Sequence, residues 1–236
     1  MKKAFITGMG SGLGLHLCRT YLEAGYQVYG CDLAQSAEYL ELKELYGPRV
    51  ELYTGIDVQF TPCIVECAKH VGRSTDSIDV LINNAGIFTK NSNLVLEEFD
   101  VDDSYRVLNI NALGPLRVTK AFLPLVQNSE EKVILNITSE AGSISSHNKK
   151  YVSRYDYCMS KCALNMQTAI LQRYLKDRGI KLLAIFPGWL KTAMGGPSAT
   201  VEPSESARHI FGLVQAYKGK PDGDIFMDYL GNHYDW

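Results

Sequence analysis

Short apolar runs rich in β-branched and aromatic residues alternate along this 236-residue chain with longer stretches whose apolar positions recur at helical spacing. The runs predict strands near 3–7, 27–31, 50–54, 78–82, 131–138, 180–186 and 223–228. The stretches between them predict helices near 12–24, 36–46, 60–74, 98–128, 155–177 and 203–217. Gly25 falls where the first helix should end, and Gly47-Pro48 where the next one closes. Alternation of this kind is the pattern of a parallel sheet covered on both faces. The expected fold class is therefore α/β, a doubly wound seven-stranded parallel sheet of Rossmann type flanked by helices. No repeat, low-complexity tract or linker interrupts the pattern, which predicts one domain over 1–236. In such a sheet a ligand lies across the carboxyl ends of the strands, where strand order reverses.

Composition changes this picture little. Hydrophobic residues make up 46% of the chain, enough for a sizeable core, and 24 Lys and Arg face 26 Asp and Glu with no long run of either sign. That balance implies neither nucleic acid nor membrane as a partner. The amino-terminal apolar run is far too short for a signal peptide, and no stretch reaches the roughly 20 apolar residues that span a bilayer, so a cytoplasmic location is expected. The six cysteines stand at 18, 31, 63, 67, 158 and 162. The last four form C-x-x-x-C pairs one helical turn apart, the wrong spacing for C-x-x-C redox or zinc pairs. They are expected to be buried thiols, with no disulfide and no metal.

Chemistry first enters at Thr7-Gly8-Met9-Gly10-Ser11-Gly12-Leu13-Gly14, which follows the first strand and opens a helix with Leu13, Leu15, Leu17, Tyr21 and Leu22 as its packing face. Glycines let the backbone approach a pyrophosphate, while the helix start offers unpaired N–H groups and the positive end of its dipole. A glycine-rich turn alone is weak evidence, but the strand, loop and helix context that a dinucleotide needs is present. Asp32 ends the second strand, where a carboxylate can accept both adenosine ribose hydroxyls. It would repel a 2′-phosphate, and neither Ser11 nor Leu33 offers a compensating cation, so NAD(H) is the expected cofactor.

The spacing T-G-x-x-x-G-x-G resembles that of the short-chain dehydrogenase/reductase family, and further matches follow in order along nearly the whole chain. They are Asn83-Asn84-Ala85-Gly86 after a strand, Asn111 in Asn111-Ala112-Leu113-Gly114, Ser139 closing Asn136-Ile137-Thr138-Ser139, Tyr157-Cys158-Met159-Ser160-Lys161 and Pro187-Gly188-Trp189-Leu190-Lys191-Thr192. The run Phe186–Gly196 and the closing Asp228–Trp236 look most like the C-factor-type branch, often described only as carbonyl reductase-like. The resemblance implies interconversion of a carbonyl and a secondary alcohol. It places Asp57 and Val58 beside the adenine, Asn84, Ala85 and Gly86 along the adenosine ribose, and Pro187, Gly188, Leu190 and Thr192 toward the nicotinamide.

Hydride transfer to a carbonyl leaves charge on oxygen, which needs one proton donor and a second group to hold it. Tyr157 and Ser139 fit those roles. Lys161 shares a helix face with Tyr157 four residues earlier, and an ammonium at about 4 Å would lower a phenol pKa by about three units at an effective dielectric of 20. By resemblance Lys161 also binds the nicotinamide ribose, and Asn111 positions Lys161 and a water for proton relay. The chain is longer than the family norm between Ser139 and Tyr157, and Ser143, Ser145 and Ser146 offer alternative hydroxyls. Ser139 is preferred because it follows a rigid strand. The extra residues, His147, Lys149, Lys150 and Tyr151 among them, should bulge over the substrate side.

Tyr155 lacks a lysine four residues on and reads as a pocket wall. Residues 187–203 read as a short substrate lid, and Trp189, Met194, Tyr151 and Tyr155 would suit a small or flat hydrophobic carbonyl or alcohol, unless these aromatics only pack at the surface. By resemblance the helices near 98–128 and 155–177 would build a homodimer or homotetramer. Two other readings stay open: a dinucleotide-binding regulatory or signalling protein that does not turn over, and a sugar-nucleotide epimerase or dehydratase.

Overall fold

The computed structural model describes residues 1–145, 152–223 and 225–236. Seven strands, β1 (Lys3–Thr7), β2 (Gln27–Cys31), β3 (Val50–Tyr53), β4 (Val80–Asn83), β5 (Val133–Ile137), β6 (Lys181–Phe186) and β7 (Phe226–Asp228), form one sheet in the order β3-β2-β1-β4-β5-β6-β7. Every neighbouring pair is parallel. Strand order reverses between β1 and β4, which puts the ligand crevice above their carboxyl ends. The helices are α1 (Gly12–Glu23), α2 (Ala37–Tyr46), α3 (Thr61–Ser74), α4 (Ser104–Leu108), α5 (Gly114–Gln127), α6 (Tyr155–Leu175) and α7 (Pro203–Tyr217).

The two-residue period of the strands makes two cores. Ala4, Ile6, Val80, Ile82, Val133, Leu135, Leu183 and Ile185 pack with α1 and α7 on one face. Phe5, Leu81, Ile134 and Leu182 point the other way, onto α3 and α5, where Phe5 meets Phe122 with centroids 4.0 Å apart. Buried on both faces, these strands read as nearly continuous apolar runs, as a parallel sheet requires. The carboxyl ends of β4 and β5 break the rule: Asn83 donates to Asn136 (2.8 Å) and Thr119 (3.2 Å), and Asn136 donates to Thr168 (2.8 Å). This buried chain of amides and hydroxyls ties α5 and α6 to the sheet directly beneath the crevice.

The predicted helix over 98–128 does not run unbroken. It begins at Ser104, because Asn91 captures both the N–H and the carbonyl of Asp100 (2.9 and 2.8 Å) and holds the preceding segment as a turn. Asn109–Leu113 then widens into one π-helical turn before α5 continues. The strand predicted over 131–138 is shorter because Lys132 has a positive φ of 53°. All six cysteines are free thiols, with Cys18, Cys31 and Cys67 buried. Among the described residues no helix is long and apolar enough to cross a membrane.

Candidate active site

A cavity of about 840 Å³ runs above the carboxyl ends of the strands, from Asp32 and Asp57 at one end to Ser139, Tyr157 and Trp189 at the other. Gly8, Ser11, Gly12, Leu13, Val58, Asn84, Ala85, Gly86, Lys161, Pro187, Gly188, Leu190 and Thr192 line it between. Gly10, Gly14 and Asn111 stand behind this wall. A Cβ on Gly14 would come within 2.0 Å of the Gly8 carbonyl oxygen, so only glycine lets α1 start against the loop. Ser11 makes no side-chain cap to α1, and its first turn holds no acidic residue, so the first amides and the dipole of α1 suit a diphosphate.

Asp32 Oδ2 accepts from the Gly10 N–H (2.8 Å) and Oδ1 from the Leu33 N–H (2.7 Å), which locks its carboxylate at the loop. Asn84 is consumed by the scaffold: its Nδ2 donates to the carbonyls of Thr7 (2.9 Å) and Gly8 (3.1 Å), while Thr7 Oγ1 accepts the N–H groups of Asn84 and Ala85 (3.0 Å each). These bonds stitch the end of β4 to the glycine loop. An elongated cavity, a glycine loop at its middle and a carboxylate at its far end together fit an extended dinucleotide.

At the other end, Ser139 follows β5 in extended backbone and accepts from the Ala141 N–H at 3.1 Å. Tyr157 is in the first turn of α6, and Lys161 one turn later sends Nζ back to the Ile137 carbonyl (3.0 Å), 5.8 Å from the Tyr157 ring centroid. Asn111 lies in the π turn. Its Oδ1 accepts from the Ile87 N–H (2.8 Å), and its Nδ2 donates to the Ile87 carbonyl (2.9 Å) and Ser160 Oγ (3.1 Å). A Cβ on Gly86 would lie 3.3 Å from Asn111 Oδ1 and 3.8 Å from Lys161 Nζ, so both side chains converge on Gly86. π turns of this kind recur at functional sites.

Burial raises the Tyr157 phenol above its ordinary pKa, against the opposing pull of the Ser139 hydroxyl and the Arg154 charge. Burial also pushes Lys161 down to about 8. The ammonium is directed to the Ile137 carbonyl.

Sequence relatives and solved structures identify the family and share the fold. Residues 2–202 match the short chain dehydrogenase family. This chain belongs to that family. C-signal of Myxococcus xanthus is 37% identical over 164 residues, covering 69% of this chain and 95% of that protein, which supports the C-factor-like branch. Retinol dehydrogenase 5 of Mus musculus is 31% identical over 233 residues, 94% of this chain and 68% of that one. Among solved structures, the NADPH-bound carbonyl reductase from chicken fatty liver superposes with a TM-score of 0.88 at 27% identity, covering 100% of this chain and 99% of that one. Carbonyl reductase Sniffer of D. melanogaster gives 0.87 at 25% identity, with 100% of both chains covered.

Against this family background, the serine alternatives separate. Ser139 lines the cavity, whereas Ser143 donates to the Asp235 carbonyl (2.6 Å) and the Ser145 N–H to that of Trp236 (3.1 Å), so both anchor the carboxyl-terminal segment. Ser146, His147, Lys149, Lys150 and Tyr151 lie outside the described residues. Tyr155 is not a pocket wall: its ring packs on Phe99 at 5.2 Å, because two residues along a helix turn a side chain by about 200°. The segment 187–203 is pinned at its base, where Leu190 bridges Val201 and the Lys191 N–H donates to the Val201 carbonyl (2.9 Å). Phe88, Arg106, Glu140 and Arg154 also line the cavity and went unread in the sequence. They stand on turns or irregular backbone or, like Arg106, on an exposed helix face, where no periodicity marks them. The one available signal was Arg154 three residues before the tyrosine of Y-x-x-x-K.

Proposed function

We propose that this chain reduces a carbonyl compound to a secondary alcohol with NADH, Tyr157 supplying the proton. The observation that carries the reading is the convergence of Ser139, Tyr157 and Lys161 on one wall of the cavity, with Tyr157 kept protonated by burial. When bound, the nicotinamide supplies the hydride that adds to the carbonyl carbon. Ser139 holds the carbonyl oxygen, which takes up the π electron pair and then the Tyr157 proton. The phenolate regains its proton from solvent, and Lys161, whose Nζ is held by the Ile137 carbonyl, supplies positive charge beside it. Asn111 is a positioning residue, holding the Ile87 backbone and Ser160 beside the Gly86 turn.

NAD(H) is preferred over NADP(H) because the Asp32 carboxylate is locked at the ribose end and its flanking residues, Gly10, Leu33 and Ala34, bring no cation. NADP(H) is the second reading, favoured by the NADPH in the chicken fatty liver carbonyl reductase. Residues 187–203 act as the substrate lid, and the whole chain as one domain. The exposed Met159, Met166, Ile170 and Tyr174 fall two turns and then one turn apart on one side of α6, which supports a homo-oligomer joined through α6 and the α4–α5 segment. The deciding experiment is turnover of a broad panel of ketones and secondary alcohols with NADH and NADPH, beside Tyr157→Phe. NADH-dependent reduction that disappears in the variant is expected. Tight dinucleotide binding with no turnover across the panel would overturn it in favour of a regulatory role.

A further inference from the structure

The side of α6 that meets the sheet carries polar residues along its whole length. Tyr157, Lys161, Asn165, Thr168 and Gln172 follow one another at spacings of three and four residues, so they form one stripe, and all but Tyr157 are buried. A helix packed on a sheet needs only apolar residues there, and each buried polar group costs desolvation unless it is given a partner. Lys161 Nζ donates to the Ile137 carbonyl (3.0 Å), Thr168 Oγ1 accepts from Asn136 Nδ2 (2.8 Å) and Gln172 Oε1 accepts from the Leu182 N–H (2.7 Å). Those three tie α6 to β5 and β6.

Asn165 instead joins two points on either side of Ser139. Its Oδ1 accepts from Thr138 Oγ1 (2.6 Å), and its Nδ2 donates to the Gly142 carbonyl (3.1 Å). A backbone carbonyl only accepts, so the amide nitrogen must face Gly142, which leaves the oxygen for the Thr138 hydroxyl. The turn between those points closes on Ser139, whose Oγ accepts from the Ala141 N–H (3.1 Å) and whose carbonyl accepts from the Gly142 N–H (3.0 Å). This turn lies so close to α6 that a Cβ on Gly142 would come within 2.7 Å of the Lys161 carbonyl and 2.8 Å of Asn165 Nδ2. Burial raises the Tyr157 phenol and the Ser139 hydroxyl opposes it, so the two hydroxyls act on each other.

We infer that Asn165 is a positioning residue for the reaction: by holding Thr138 and Gly142 at once, it fixes the Ser139 hydroxyl relative to Tyr157. Asn165 stands one turn beyond Lys161 on the helix that carries Tyr157, and so links the proton donor to the turn that holds the carbonyl oxygen. A misplacement of about 1 Å at such a pair is costly in rate, which is why its supports are hydrogen-bonded rather than merely packed. The inference rests on the carbonyl-reduction reading, in which Ser139 holds the reacting oxygen.

The test measures kcat and KM for the ketone of the panel that the wild-type protein reduces fastest, using NADH and NADPH separately. Asn165→Leu removes both bonds, Thr138→Val removes one at nearly constant shape, and Thr138→Ser keeps the hydroxyl; each is also made in a Ser139→Ala background. Asn165→Leu and Thr138→Val are expected to lower kcat by about tenfold and to leave the dinucleotide KM within about twofold, with most of the loss absent in Thr138→Ser. Added to Ser139→Ala, neither should cost more than about twofold further, because no hydroxyl is left to place. A wild-type kcat in both variants overturns this inference alone, as does a loss that persists in full in the Ser139→Ala background. Should one variant fail to fold, the other decides; failure of both to fold overturns the inference by making the bridge a requirement of the fold. Failure of the wild type with every carbonyl and both cofactors overturns the carbonyl-reduction reading and this inference with it.

Discussion

Glu131 and Lys161 sit at opposite ends of β5, and each is only 6% exposed. Below the sheet, Glu131 accepts from Tyr26 OH (2.8 Å) and Lys218 Nζ (2.7 Å), and Lys2 Nζ joins them. Above it, Lys161 donates to the Ile137 carbonyl alone among the described hydrogen bonds. The proton affinities diverge accordingly. Burial works to raise the Glu131 carboxyl, but Lys2, Lys218 and Tyr26 overcome it and hold the group below its usual range. At Lys161 burial acts unopposed and brings the ammonium down to about 8. A compensated buried charge contributes to the fold, whereas an uncompensated one is left ready to exchange its proton.

The largest expected effect tests whether the upper end is devoted to chemistry. Tyr157→Phe should lower turnover by about a thousandfold, within the range of acid–base catalysis, while the thermal midpoint stays near that of the wild type. Equal losses of activity and stability would break the comparison.

The next tests the cost of the lone lysine. Its folded pKa lies below its unfolded value, so the unfolded chain binds more protons from about pH 8 to about pH 10.5, and stability rises with pH through that window. Urea denaturation of the cofactor-free protein should show the wild type gaining about 2 kcal/mol relative to Lys161→Met between about pH 7.5 and about pH 9.5. The raised Tyr157 phenol acts in the other direction only above its ordinary range.

At the lower end, Glu131→Ala should destabilise by about 1–2 kcal/mol in denaturant titration without changing kcat, because Lys2 and Lys218 are partly exposed and return to water. Glu131 has a lowered pKa, so its contribution is present above the unfolded carboxylate value and is lost as pH falls through the folded one. The smallest effect concerns Asp32, whose carboxylate is held by backbone amides rather than cations. Asp32→Ser should move the NADH to NADPH ratio of kcat/KM about tenfold toward NADPH, and a ratio that stays put would remove Asp32 as the selector.

Much of the sheet and of the dinucleotide end was legible because those signals are local. A strand, a glycine turn and a helix start lie within Lys3–Glu23, and Asp32 follows directly on β2. Tyr155 turns its ring to Phe99 rather than to the cavity, a contact between distant segments that the missing lysine could not reveal. Arg154 and Phe88 were missed because they meet only when the loop after β4 is clamped to α6 through Ser92 and Asp156. The lowered proton affinity of Lys161 was illegible for the same reason: it is set by burial between α6 and the sheet, which spacing along one helix face does not encode.

The amino-acid sequence by itself determined the order of strands and helices, the glycine loop at the start of α1 and the residue types able to move a hydride and a proton, since each depends on neighbours a few residues away. Only the tertiary structure decided where Lys161 points, which serine faces the cavity and that Arg154 shares a wall with Tyr157. Those outcomes depend on burial and on contacts between segments far apart in the chain, which no local pattern encodes.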